Sequence, residues 1–456
     1  GLPAPHPTRR RAPPTGHASG HVGLSVLSFA SRIARNLRYS YLFLPGVMAL
    51  GFAGLAVGLT QIDKTGGATG VLGVFPAGPP GARAVLSTIA AAVATVAGVS
   101  FSITIVSLQL VSQQFTPRAL RGFLADRLNQ AIAGVFIGVF LFCLVALRTV
   151  AEGETGFVPG LTMTVAVGLA VLALLLLLVF IHHMGHSIQV SNISRKIADG
   201  TLAAAESLHP GLYGDPVAEA PGAAVARWAR ERTPVEVTAA EPGFVQSFDD
   251  LPRAVGRRAR VELLVAPGDF VTERDVLARV WAAEDAEACA AGLRRAIAIA
   301  PERDLAQDVG FGLRQLADIA VKALSPGVND PTTATTCIGY LRAVLERLAA
   351  TPWPEPARRL PDEVELVLPR ASFEDHLEAL VQVGRYAAAD ARVVHALLRT
   401  ALAVAESARD GGQAAHALAA GRAGLRIARR ALDDGALDAD EREEIERLAG
   451  ELRRPV

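Results

Sequence analysis

The sequence predicts a membrane α-helical protein: four transmembrane helices, then a cytoplasmic α+β domain with a small β-barrel-sandwich-like module and helical hairpins. Three observations lead there. Of 456 residues, 51% are hydrophobic and only 20% charged, whereas soluble chains are nearer a quarter charged. The apolar excess sits between Tyr41 and Ile181, in four long stretches without mid-segment charge. After Ser191 the charge density returns to that of ordinary soluble protein.

The N-terminal tail, residues 1–21, is rich in Pro, His, Gly and Arg, lacks any apolar period and reads as disordered. Residues 22–39 differ. Val22, Val26, Phe29, Ile33 and Leu37 recur at helical spacing with Arg32, Arg35 and Arg38 between them. This is a basic amphipathic helix, fit either for an anionic membrane surface or for packing on the chain's own spans.

The transmembrane region, residues 40–190, holds the four stretches. Leu42 to Ile62 is uncharged until Asp63; Ala84 to Val111 carries no charge; Ala131 to Val150 is interrupted only by Arg148; Leu161 to Ile181 is packed with Leu and Val. Each approaches or exceeds the roughly 20 residues needed to cross a hydrocarbon core. Positive charge sets the orientation. Arg9, Arg10, Arg11, Arg32, Arg35 and Arg38 precede the first span, and Arg118, Arg121 and Arg127 lie between the second and third. Arg195 and Lys196 follow the fourth, and the other two connections are poor in positive charge. The positive-inside rule then places both termini in the cytoplasm. Three well-separated cysteines, Cys143, Cys289 and Cys337, show no metal or disulfide spacing and fit a reducing compartment. High alanine and arginine with few lysines point to a GC-rich bacterial genome, so the expected location is the bacterial inner membrane.

The second span is unusually polar. Thr88, Thr95, Ser102 and Gln109 recur every seven residues, Ser100, Thr104 and Ser107 form an adjoining stripe, and Gln113 and Gln114 continue it inward. Polar groups in hydrocarbon need partners. Two readings fit: a pore lined by this helix, or hydroxyls that bond their own backbone and neighbouring helices. No Asp, Glu, Lys or Arg lies mid-span, which disfavours ion-coupled pumping and leaves a passive path or no path. Gly54-x-x-x-Gly58 and Gly134-x-x-x-Gly138 suit close helix packing, within the chain or between copies. His182 and His186 have metal-ligand spacing, but no further ligand stands nearby, so the headgroup boundary explains them better and no metal or cofactor is expected.

The soluble part divides into a connecting helix and loop (191–232), a small β module (233–283), a helix-turn-helix segment (284–350) and a C-terminal helical region (351–456). Phe244 to Phe248, Val261 to Val265, Phe270-Val271 and Val276 to Trp281 have strand character, with a turn at Pro267-Gly268-Asp269. Their spacing resembles lipoyl or biotinyl modules, yet the block lacks the lysine a covalent carrier needs. Arg314, Asp318 and Lys322 form an i,i+4 ladder on one helix. Asp330 then caps a second helix that starts at Pro331. Between them Ser325, Asn329, Asp330, Thr332 and Thr333 make a dense polar loop. It reads either as an anion site, with Lys322 and Arg314 nearby, or as a capped turn that satisfies only itself.

Two motifs carry a family resemblance. One runs Ser100-Phe101-Ser102-Ile103-Thr104 through Gln109 to Ser112-Gln113-Gln114-Phe115-Thr116-Pro117-Arg118; the other is Ala323-Leu324-Ser325-Pro326-Gly327-Val328-Asn329-Asp330-Pro331 with Thr333-Ala334. With them the chain resembles the DUF2254 family of predicted bacterial membrane proteins over nearly all its length after the tail. The resemblance implies the topology and supplies no activity.

No phosphate loop, H-E-x-x-H or G-x-S-x-G is present, so no enzyme is expected. A formal net charge of zero and 5% aromatics argue against nucleic acid. The expected partners are the lipid bilayer, further copies of the chain, and a small ion or anionic ligand. Two functions follow: an oligomeric passive channel gated by its cytoplasmic domain, or a membrane-anchored sensor or scaffold whose soluble domain binds a ligand or protein.

Overall fold

The computed structural model describes residues 43–65, 78–114, 126–150, 157–207 and 214–454, apart from 218, 250, 256–257, 283–284, 354, 361, 370 and 435. The tail and amphipathic helix expected within residues 1–39 lie outside the described residues. Two compact units emerge, one holding the spans and the other the chain from Gly185 onward.

The four spans are α1 (Phe43–Lys64), α2 (Pro79–Gln114), α3 (Arg127–Thr149) and α4 (Gly160–Ser187). All four are long and apolar enough to cross a membrane. The third is the packing centre: 56% of its apolar window is buried, against 17–28% in the others. Glycine explains why α1 reaches it so closely. A Cβ on Gly134 would lie 2.8 Å from Met48 Sδ, and one on Gly138 would lie 2.6 Å from Phe52 Cδ2. A Cβ on Gly54 or Gly58 of α1 would meet nothing within 4 Å among the described residues.

Helix ends are satisfied by carboxylates. Asp126 caps α3 by accepting from Leu128 N and Asn129 N. Asp63, at the end of α1, accepts from Leu161 N at 3.0 Å, Thr162 N at 3.0 Å and Thr162 Oγ1 at 2.7 Å. It thereby caps the first turn of α4, where free amides and the helix dipole favour an anion.

In the second unit α5 (Val190–Ser207) follows a turn at Ile188-Gln189. The chain then runs through β1 (Asp215–Pro216), α6 (Pro221–Glu231), β2 (Val235–Thr238), β3 (Gly243–Phe248), α7 (Leu251–Val255), β4 (Ala259–Leu263), β5 (Phe270–Val271) and β6 (Val276–Ala282). Next come α8 (Ala286–Ala296), β7 (Ile297–Ala300), α9 (Val309–Ala323), α10 (Pro331–Ala349), β8 (Ala357–Leu360) and β9 (Val364–Val367). Four helices end it: α11 (Phe373–Ala387), α12 (Ala391–Asp410), α13 (Ala414–Asp434) and α14 (Ala439–Leu452).

All four expected strand segments are strands, but they build two open sheets rather than a barrel-sandwich module. Six strands run in the order β1-β8-β9-β4-β6-β2 and three in the order β5-β3-β7. Among the described strands no closed barrel forms. The departure comes from β9, which pairs parallel to β4 with Val261 opposite Leu366. It arrives from far along the chain and extends the sheet past the point where a local barrel would close. Along β4, Ala259, Val261 and Leu263 are buried while Arg260 and Glu262 are partly exposed, the alternation of a sheet with one core face. Val237, Val261, Leu277, Leu293 and Leu366 share that core. A larger core joins α5 and α9–α14 through Leu316, Leu341, Leu377, Leu397, Ile427 and Leu448. All three cysteines are free and buried.

Candidate functional site

In α2 the two polar stripes part company. Ser100 and Thr104 are buried at 6% and 7% exposure, and Ser107 is buried too. Thr88, Thr95, Ser102 and Gln109 are exposed and turn away from the chain's own packing. Several hydroxyls satisfy themselves: Thr88 donates to Ala84 O, Thr95 to Ala91 O, Ser100 to Val96 O and Thr104 to Ser100 O, all at 2.7–2.9 Å. Such i−4 bonding makes hydroxyls tolerable in lipid. The side chain of Gln113 lies outside the described residues.

Ser100 and Thr104 border a cavity of about 10 Å³ together with Asn129 of α3 and Phe180 of α4, room for about one water. Asn129 is 2% exposed, and neither amide atom has a partner in the chain. The sequence does not flag it, because it stands two residues before the apolar run begins at Ala131. Nearby, His183 Nε2 lies 3.0 Å from Asp126 Oδ2.

The polar loop in the soluble unit is a capped turn. Asp330 accepts from Thr333 N at 3.0 Å and Thr333 Oγ1 at 2.6 Å. These bonds hold its carboxyl below the usual carboxylate range, the Thr333 hydroxyl contributing most. Ser325 Oγ donates to Lys322 O at 2.7 Å, and Asp330 N donates to Ala323 O at 2.8 Å. Thr332 O accepts from the Thr335 and Thr336 hydroxyls. Asn329 adopts a left-handed φ of +47°, a conformation asparagine tolerates better than most residues. The loop therefore brings Lys322, Ser325, Asn329, Asp330, Thr332 and Thr333 together, with the carboxylate of Asp330 on the amide an anion would need. Arg314 is elsewhere, eight residues earlier on α9, which is about 12 Å along a helix.

Arg314 instead lines a cavity of about 510 Å³ that the sequence does not reveal. Its walls come from the turn at Pro267–Asp269, the start of α9, Thr351–Trp353 and α11. One wall is an ion pair between a half-buried arginine and a buried aspartate: Arg303 Nη2 lies 2.6 Å from Asp308 Oδ2, and Arg303 Nε donates to the same oxygen at 2.8 Å. Asp308 Oδ1 also caps α9 by accepting from Phe311 N at 2.8 Å. Burial pushes the Asp308 carboxyl up, against the lowering effect of Arg303. Gly268, at φ +98°, fits where a side chain would collide with that pair. Here glycine is required by both conformation and space.

His376 of α11 faces the same cavity, is 8% exposed and forms no hydrogen bond among the described residues. Burial lowers its imidazole to about 4, so it is neutral at physiological pH. The Trp353 ring meets it edge-on with centroids 5.4 Å apart, and Trp353 Nε1 donates to Ala371 O. A lone tryptophan and a lone helical histidine carry no spacing signature, which is why neither stands out in the sequence. A pocket of this size, largely apolar with a few convergent polar groups, is what small-molecule sites look like.

Comparison with known proteins agrees with this architecture. A family model described as "Predicted membrane protein (DUF2254)" matches residues 38–403. Uncharacterised proteins of Mycobacterium bovis and Mycobacterium tuberculosis are 33% identical over 408 residues, covering 86% of this chain and 77% of theirs. No solved structure matches. Four membrane-spanning helices, a mixed helical and sheet domain behind them, and a family match over most of the chain lead to one conclusion: this protein belongs to the DUF2254 family of predicted membrane proteins.

Proposed function

We propose that the protein is a membrane-anchored ligand-binding protein, a sensor whose soluble unit takes up a small molecule. The cavity beside Arg303–Asp308, His376 and Trp353 carries this reading. It is large enough for a small organic ligand, and its ion pair and glycine turn form a stiff wall. The spans then hold that unit at the membrane. In this reading the soluble unit lies in the bacterial cytoplasm, as the arginine asymmetry supports. A thermal-shift screen of small molecules on the full-length protein in nanodiscs tests it. Ala379 lines the cavity, so Ala379→Trp should fill it and abolish stabilisation by any hit. A silent screen, or hits that stabilise the filled variant equally, would sink the reading.

A second reading is favoured by a different observation. Thr88, Thr95, Ser102 and Gln109 face outward from the spans; the two threonines bond their own backbone, whereas Ser102 and above all the Gln109 amide are unfavourable turned to lipid. Association of copies through this stripe would shelter them and create a passive channel. Conductance in planar bilayers, reduced or altered in selectivity by Ser102→Leu and Gln109→Leu, is the expected result. Silent bilayers across voltage and tension would count against it.

A further inference from the structure

We infer that the cavity of the soluble unit binds an organic anion, an apolar and ring-bearing body with one carboxylate or phosphate head, through Arg314 and His376. The inference rests on the ligand-binding reading above and names its ligand class.

Six charged side chains line the cavity: Asp269, Arg303, Asp308, Arg314, Asp375 and Glu378. Five are engaged within the protein. Arg303 and Asp308 hold each other. Asp269 folds back to accept from Ala266 N at 2.8 Å. Asp375 accepts from the backbone and hydroxyl of Ser372 in the capping box of α11. Glu378 pairs with Arg385 and Arg426. Arg314 alone has no partner among the described residues. Arg314 is exposed and lines a cavity of mixed polarity, and a permanent cation there favours a complementary anion.

The imidazole of His376 is the second, independent feature. It is more than nine-tenths buried and has no hydrogen-bond partner among the described residues. No ring nitrogen of His376 is both sealed from solvent and unpaired, so a ligand atom in the cavity would take the place of solvent at the imidazole. A neutral imidazole donates one hydrogen bond without adding charge. The two groups are close. A Cβ on Gly310 would lie 3.9 Å from His376 Cε1, and Gly310 and Arg314 are one turn apart on the same face of α9. That spacing, about 6 Å along the axis, suits one anionic head reaching both groups. The remaining wall, including Phe248, Leu313, Leu348, Leu368 and Trp353, suits an apolar body.

Calorimetric titration of the full-length protein in nanodiscs tests this with four probes sharing one ring system: 2-naphthoate, 2-naphthyl phosphate, 2-naphthamide and 2-naphthylmethylammonium. At least one anion should bind tenfold or more tightly than the amide and the cation. Which anion binds better tells carboxylate from phosphate. Arg314→Gln should weaken the preferred anion at least tenfold and leave the amide unchanged, and Arg314→Lys should restore part of the loss. His376→Phe should weaken the anion with Arg314 intact. If the amide or the cation binds as well as the anions, or Arg314→Gln leaves the anions unaffected, the anion inference falls while the ligand-binding reading stands. Silence from all four probes also overturns the inference, and the thermal-shift screen then decides the broader reading separately.

Discussion

At His376 the surroundings, not the side chain, set the protonation state. Buried beneath Trp353, the imidazole titrates near 4 instead of its ordinary 6.5. The unfolded chain therefore takes up a proton between those values that the folded chain refuses. Stability is intact above about pH 6.5 and declines as the pH falls toward 4, by on the order of 3 kcal/mol from this group alone. Thermal melting of the full-length protein across that range should show the decline, and His376→Phe, which cannot be protonated, should make it shallower. An unchanged slope would mean that the imidazole is not buried in this way. The same residue was illegible in the sequence, because a histidine in an amphipathic helix looks identical whether it faces solvent, core or cavity. Asp330 is the opposite case. Its place before Pro331 announced a helix start, and its carboxylate does cap α10. Asp330→Ala should cost about 1 kcal/mol, read as a lowered melting temperature that Asp330→Asn largely restores.

Among the elements, α1 and α3 show how much a pattern leaves open. Both carry small-xxx-small pairs of the same form, yet among the described residues Gly134 and Gly138 meet a close neighbour and Gly54 and Gly58 do not. A methyl on Gly138 would press into Phe52 at Cβ, Cγ and Cδ2, so rotating the ring does not make room. Gly138→Ala should destabilise the spans by about 1–3 kcal/mol, the usual cost of overpacking. Gly58→Ala should leave the melting temperature of the monomeric protein unchanged. Parallel melts of the two variants in detergent check this, and equal losses would contradict the packing. The heptad stripe of α2 behaves alike. Its spacing is plain in sequence, but whether Thr88 and Ser102 or Ser100 and Thr104 face inward depends on where α3 and α4 lie. Asp63 makes the point again, since nothing local says that the last turn of α1 caps α4.

For the molecule as a whole, the membrane placement argues from solvation. Four helices with mean hydropathies of 1.8–3.1 over their best windows are more stable in lipid than in water. Reporter fusions in a bacterial host test the orientation that the arginines imply. A C-terminal fluorescent protein, which matures only in the cytoplasm, should be bright, and a C-terminal alkaline phosphatase should be inactive. The reverse pattern would place the soluble unit outside and move the proposed ligand to the other side of the membrane.

The sequence by itself determined whatever depends on a residue and its near neighbours along the chain. The four spans, the cap at Asp330, the turn at Gly268 and the four strand segments are of this kind, because hydropathy, capping and turn chemistry act over a few residues. Which strands pair, which stripe of α2 is buried, and that Arg314, His376, Trp353 and the Arg303–Asp308 pair enclose one space depend instead on packing between distant segments. Those groups come from segments up to 73 residues apart, from Arg303 to His376, and a cavity is the gap left between packed surfaces. No local pattern encodes such a gap; it exists only once the helices and sheets have settled against one another.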